Sequence, residues 1–244
     1  WNSLGKFTPS MWQPKLTLSF AHARTVPTRS LLGWSLPPWS VTTPPHFLPY
    51  PIRSTNQMAF VPEDEPRSLP VLTTSLVYEG AIWNVVRDTF DYNGEVLSRD
   101  YIDHTGAVAI VALNDDDEVM MIRQYRHAIR ATNWEIPAGL LDIAGEDPLE
   151  CGKRELLEEA DLVAKNWEFL TTLNTTPGGS NEFIHIYIAT GLEKIDHDYV
   201  RSGEEADLEM RFIPLATAVE AAISGKIRNQ IAVTALLAAY VARS

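Results

Sequence analysis

Residues Gly139–Leu162 read GLLDIAGEDPLECGKRELLEEADL, and the spacing of their acidic residues decides how the rest of the chain is read. Glu155, Glu158 and Glu159 stand at i, i+3 and i+4, which on a helix places three carboxylates on one face. Like charges one turn apart destabilise a helix by roughly 0.2–0.5 kcal/mol per pair. Their crowding therefore points to a neutralising cation, and a hard divalent metal suits oxygen ligands. Leu149, Leu156 and Ala160 form an apolar stripe beside the glutamates, which predicts carboxylates at the edge of a core rather than on a solvated face. Asp147 can cap this helix, Pro148 can occupy its first position, Glu150 follows three residues after the cap, and Arg154 can pair with Glu158.

This run resembles the signature of the Nudix hydrolases: a glycine, a glutamate, then Arg-Glu, an apolar residue, any residue, Glu-Glu, any residue, a glycine and an apolar residue. Gly139, Glu146, Arg154, Glu155, Leu156, Glu158, Glu159 and Leu162 supply it. Two positions depart from the pattern. One extra residue lengthens the loop between Gly139 and Glu146, and Asp161 stands where the family has glycine. That glycine closes the helix in a left-handed conformation, which Asp tolerates better than most residues but less well than Gly. On sequence alone, Asp161→Gly is expected to relieve strain.

The resemblance implies an α/β/α sandwich with an N-terminal antiparallel β subdomain. It implies magnesium or manganese on Glu155, Glu158 and Glu159, with Arg154 in the same catalytic set, and water attack on the diphosphate of a nucleoside diphosphate linked to another moiety. Arg123-Gln124-Tyr125-Arg126-His127 followed by Trp134-Glu135-Ile136-Pro137-Ala138-Gly139 is similar to the ADP-ribose pyrophosphatase branch. In that branch Arg126 contacts substrate and Ala138 offers a carbonyl to metal. The turn-rich Thr176-Pro177-Gly178-Gly179-Ser180-Asn181-Glu182 matches a branch loop in which Pro177 precedes a general base, Glu182, on a mobile segment. A solvated hairpin glutamate is the alternative, and Asn181 stands where aspartate is frequent. A homodimer is also implied, with adenine between aromatics near the seam. Trp83, with Arg87 beside it, is the candidate there, against simple core packing of a lone tryptophan. Gly203-Glu204-Glu205-Ala206-Asp207 resembles a loop near the metals and receives no ligand assignment.

The remaining sequence bounds these expectations. The 244 residues, 45% hydrophobic, suffice for a sizeable core. All 32 acidic residues fall from Glu63 onward, against fifteen of the twenty Lys and Arg. Such a charge balance argues against nucleic acid as a partner. One cysteine, Cys151, rules out an internal disulfide and fits a reducing cytoplasm; on the signature helix it reads as filler rather than nucleophile. No run of about 18 apolar residues exists, so no membrane span is expected.

Residues 1–62 hold ten of sixteen prolines and four of seven tryptophans, and read as a leader outside the domain, with Met58 resembling a start. Residues 63–105 read as the β subdomain and 106–244 as the Nudix domain. Short β-rich runs at 71–79, 81–89, 95–104, 107–113 and 118–125 are separated by Asn93-Gly94, Thr105-Gly106 and Asn114–Asp117. The last of these is a solvated turn rather than a calcium loop. After the signature helix come strands around 167–173 and 183–190, one ending near Pro214, and helices near 215–224 and 229–243. That order predicts a sheet sandwiched by helices.

ADP-ribose is the favoured substrate; other nucleotides, or a catalytically silent nucleotide sensor, are the rival readings. A chain beginning at Met58 is expected to keep the full-length melting temperature and activity, as measured by thermal melts and hydrolysis assays of both forms. Aggregation of the shorter chain would make residues 1–57 structural.

Overall fold

The computed structural model describes residues 61–196, 199, 201 and 207–244. The leader reading, the Met58 start and most of the 203–207 loop fall outside them. Among the described residues the order is β1 (Val71–Glu79), β2 (Asn84–Tyr92), β3 (Glu95–Asp103), β4 (Ala107–Ala112), β5 (Glu118–Arg126), β6 (Ala131–Glu135), β7 (Ala138–Leu140), α1 (Pro148–Ala160), β8 (Leu162–Asn174), β9 (Phe183–Lys194), β10 (Glu209–Pro214), α2 (Leu215–Ile223) and α3 (Gln230–Arg243). The second strand starts three residues later than the sequence suggests because Gly80–Trp83 turns tightly. A Cβ on Gly80 would lie 2.1 Å from the Trp83 carbonyl oxygen.

β4, sequence AVAIVA, is buried on both faces, and its period-2 alternation divides two cores. Ala107, Ala109 and Val111 pack toward Leu215, Val219, Ala235 and Leu236 of α2 and α3. Val108, Ile110 and Ala112 pack toward Cys151, Leu156 and Ala160 of α1. One sheet runs β7-β4-β9-β8 and a second β10-β5-β6, with β4 parallel to β9 and antiparallel to β7. The expected α/β/α layering follows. Leu156 is fully buried, a contribution of about 1.5–3 kcal/mol for a side chain of its size.

The three-stranded sheet β1-β2-β3 stands apart. Asn93 and Gly94, both at positive φ (57° and 90°), close its β2–β3 hairpin as paired left-handed turn residues do. β1 is exposed along its whole length, including Val71, Leu72, Leu76, Val77 and Tyr78.

Helix α1 begins and ends as its sequence predicts. The Asp147 carboxylate accepts from Leu149 N at 2.8 Å, and Pro148 takes the first position. Glu150 pairs with Lys153 at 2.7 Å. Asp161 is left-handed (φ 56°, ψ 30°), with its N–H donating to the Leu156 and Leu157 carbonyls. The specific hydrogen bond that would make Asp161 more than a strained substitute is supplied by Arg201. Its Nη2 donates to the Asp161 carboxylate, while its Nε donates to the Glu158 carbonyl at 2.9 Å. A charge-assisted hydrogen bond contributes about 1.5–3 kcal/mol, more than the ~1 kcal/mol that glycine recovers at a left-handed position. Asp161→Gly is therefore expected to lower stability by about 1 kcal/mol net. Chemical denaturation of the two forms measures the sign, and a more stable glycine variant would return the strain reading.

Candidate active site

α1 turns its acidic face into a cavity of about 890 Å³. Glu155, Glu158 and Glu159 line it, together with Arg126, Glu135, Trp83, His104 and Glu182. Arg154 organises the acids. Its Nε and Nη2 donate to Glu146 at 3.2 and 3.1 Å, and its Nη1 reaches Glu155 at 2.6 Å and Glu158 at 3.4 Å. Hydrogen bonding to Arg154 holds the Glu146 carboxyl below its ordinary range, and hydrogen bonding to Glu146 chiefly raises the guanidinium further above its own. Much of the like-charge repulsion is thus neutralised from within the helix. Glu159, buried, accepts from the Ala138 backbone N–H at 2.8 Å.

Gly139 shows why the signature begins with glycine. A Cβ there would lie 1.9 Å from Glu155 Cδ and 2.1 Å from its Oε1, so the Glu155 side chain occupies the space a larger residue would fill. Cys151 is buried in the same helix, its thiol pKa pushed up to about 12 by burial and then by the Glu155 charge. It stays protonated at neutral pH, as the filler reading expects.

Arg126 lines the cavity, aimed by a partner that sequence reasoning did not single out. Glu135, buried, takes both its Nε (3.0 Å) and Nη2 (2.7 Å). β5 and β6 pair antiparallel with Arg126 opposite Ala131 and Ile122 opposite Glu135, so the Arg126 side chain runs along the strand pair to meet Glu135. Ala138 lines the cavity and Trp83 lies at its edge, stacked on His104 with ring centroids 4.1 Å apart and planes at 18°. Two predicted residues are not brought there. Arg87 is paired with Asp100 across β2 and β3 at 2.6 and 2.8 Å, and neither it nor Pro177 lines the cavity.

Glu182 does line it, but its loop is tethered rather than hanging free. Ile102 N donates to Gly179 O at 2.9 Å and Asn181 N to Ile102 O at 3.3 Å. The Asn181 amide accepts from His104 N and donates to Asp103, both at 2.8 Å. An aspartate at 181 could not donate to Asp103, which accounts for that departure from the family pattern.

Among the described residues no group of three His, Cys, Asp or Glu side chains is arranged to hold a metal ion by itself. The donor set is hard carboxylate oxygen at a cavity wall. Such chemistry fits a divalent ion that keeps waters and completes its shell with substrate phosphates; Glu155, Glu158 and Glu159 are the residues that would hold it.

Comparison with known proteins gives the family. Residues 103–232 match the NUDIX domain model. The chain is 40% identical over 170 residues to the ADP-ribose pyrophosphatase of Mycobacterium tuberculosis, covering 69% of this chain and 82% of that one. It is 31% identical over 158 residues to a GDP-mannose pyrophosphatase of Escherichia coli, covering 60% and 80%. A solved structure titled as an ADP compounds hydrolase superposes with a TM-score of 0.61 at 21% identity, covering 73% of this chain and 96% of that one. The chain belongs to the Nudix family. Its mixed α/β sandwich is the fold of the Nudix hydrolases.

Gly139→Ala is expected to displace the Glu155 carboxylate, abolishing hydrolysis while the melting temperature changes little. Calorimetry beside an activity assay checks it; an active alanine variant would mean that Glu155 need not occupy this slot.

Proposed function

We propose that this protein hydrolyses the diphosphate bond of a nucleoside diphosphate sugar, with ADP-ribose and water giving AMP and ribose 5-phosphate. The observation that carries the reading is the convergence on one cavity of the α1 carboxylates, Arg126 and Glu182. Its volume falls within the roughly 300–1,000 Å³ of small-molecule sites. The ADP-ribose and GDP-mannose pyrophosphatases among its relatives support the substrate class.

Magnesium or manganese held by Glu155, Glu158 and Glu159, with the Ala138 carbonyl, would offset charge on the phosphoryl oxygens and lower the pKa of the attacking water. The chain's own groups do the rest. Arg126, held rigid by Glu135, binds the diphosphate as a charged fork. Arg154, itself at the cavity wall, keeps the carboxylate face in order. Glu182 accepts the proton of the attacking water as its oxygen bonds to phosphorus and the bridging P–O bond breaks. Trp83 offers the ring face not stacked on His104 to the adenine.

The uncovered apolar residues of β1 support a homodimer, since a thin sheet exposed along an entire strand is stabilised by a partner. In that assembly Arg87 would serve the site of a second copy. No helix among the described residues is long and apolar enough to cross a membrane, and a reduced, buried cysteine fits the cytoplasm.

Glu159→Gln keeps the shape of the helix face and removes one charge. At saturating ADP-ribose and magnesium its kcat is expected to fall by roughly 100- to 1,000-fold, the loss typical when one electrostatic group is removed from a reacting centre, with the fold intact. Wild-type turnover in the variant would sink the metal-face reading. A panel including GDP-mannose and dinucleoside polyphosphates ranks the substrates by kcat/KM.

A further inference from the structure

We propose that His104 is a positioning residue for the loop glutamate: neutral, with its proton on Nε2, it fixes the Glu182 carboxylate at the cavity wall from the N-terminal sheet. The inference rests on Glu182 acting as the base.

The protonation state follows from the partners. Gly106 N donates to His104 Nδ1 at 2.9 Å. A backbone N–H can only donate, so Nδ1 carries a lone pair and the ring proton sits on Nε2. Nε2 lies 3.1 Å from Glu182 Oε1, which makes this contact a directional hydrogen bond from a neutral imidazole to a carboxylate. Thr175 Oγ1 donates to the other oxygen, Oε2. One donor on each oxygen fixes the rotation of the carboxylate while each oxygen keeps a lone pair for a water proton.

The ring itself is immobilised. Its side chain is 7% exposed, Trp83 stacks on it, and its own backbone N–H is held by Asn181, the neighbour of Glu182. His104 also sits at the junction where β3 gives way to β4, at the sharp Gly106 turn (φ +90°) packed on Phe183. Through this imidazole the end of the N-terminal sheet touches the Glu182 carboxylate directly. Removing that N–H leaves the carboxylate pivoting about Thr175.

His104→Phe retains an aromatic ring against Trp83 and deletes the donor, whereas His104→Gln retains an N–H at the Nε2 position. With ADP-ribose and magnesium, His104→Phe is expected to lower kcat by roughly 10- to 100-fold, the loss that a misplacement of about an ångström causes, with KM nearly unchanged. His104→Gln should recover most of that loss. In a Glu182→Gln background His104→Phe should have no further effect, because a residue acting through Glu182 has nothing left to position. Wild-type kcat in His104→Phe, a multiplicative loss in the double variant, or a glutamine variant as slow as the phenylalanine one would overturn the proposal while leaving Glu182 as base. Undiminished kcat in Glu182→Gln alone would overturn the base reading, and the positioning role with it. Thermal melts identify a His104→Phe chain that fails to fold, and the His104→Gln comparison then decides.

Discussion

The arrangement depends on Arg154. Four acidic residues crowd the approach to α1 and its cavity-lining face, and the guanidinium reaches three of them, Glu146, Glu155 and Glu158, from one point. A helix face carrying adjacent carboxylates is unfavourable by itself. Placing a permanently charged planar fork within that face converts repulsion into a network whose geometry is set by hydrogen bonds. Glu146 belongs to the loop and the others to the helix, so the same side chain ties the Gly139–Glu146 loop down onto α1. Gly139 then provides the slot in which Glu155 lies. Lysine in place of Arg154 would keep the charge but could not reach three acids in fixed directions.

A second constraint comes from β4, whose two faces are both buried. Its even positions hold α1 and its odd positions hold α2 and α3, which fixes the height of the acidic face relative to β5 and β7. Arg126 and Ala138 come from those two strands, so these two cavity-lining residues are registered against the α1 carboxylates by sheet hydrogen bonds rather than by loops. Elements that are buried and hydrogen-bonded place side chains more rigidly than exposed segments do.

The N-terminal sheet contributes differently. It has little buried apolar surface of its own, Val86 being its one buried hydrophobic among the described residues. What attaches it to the rest is polar: the strand end Ile102-Asp103-His104 binds the Gly179–Glu182 loop through backbone and Asn181 hydrogen bonds. A sheet joined in this way is poorly placed to stand alone and well placed to transmit its position to the Glu182 loop.

How much of this was legible beforehand can be seen residue by residue. The α1 boundaries, the Asp147 cap, the left-handed Asp161 and the Asn93-Gly94 hairpin are properties of neighbours in the chain, set by dihedral preferences and by the 3.6-residue hydrophobic period. Eight of the ten expected site residues, Trp83, Arg126, Ala138, Arg154, Glu155, Glu158, Glu159 and Glu182, line the cavity, and the four on α1 were legible because one helix carries them at fixed spacing. Tertiary structure alone decided the pairs that join distant segments: Glu135 aiming Arg126, Arg201 capping Asp161, Arg87 engaged by Asp100, and His104 holding Glu182 across 78 residues. A sequence displays periodicity and spacing, which report on local backbone geometry. It does not display strand register or the closure of loops, and those long-range contacts determine which donor meets which carboxylate.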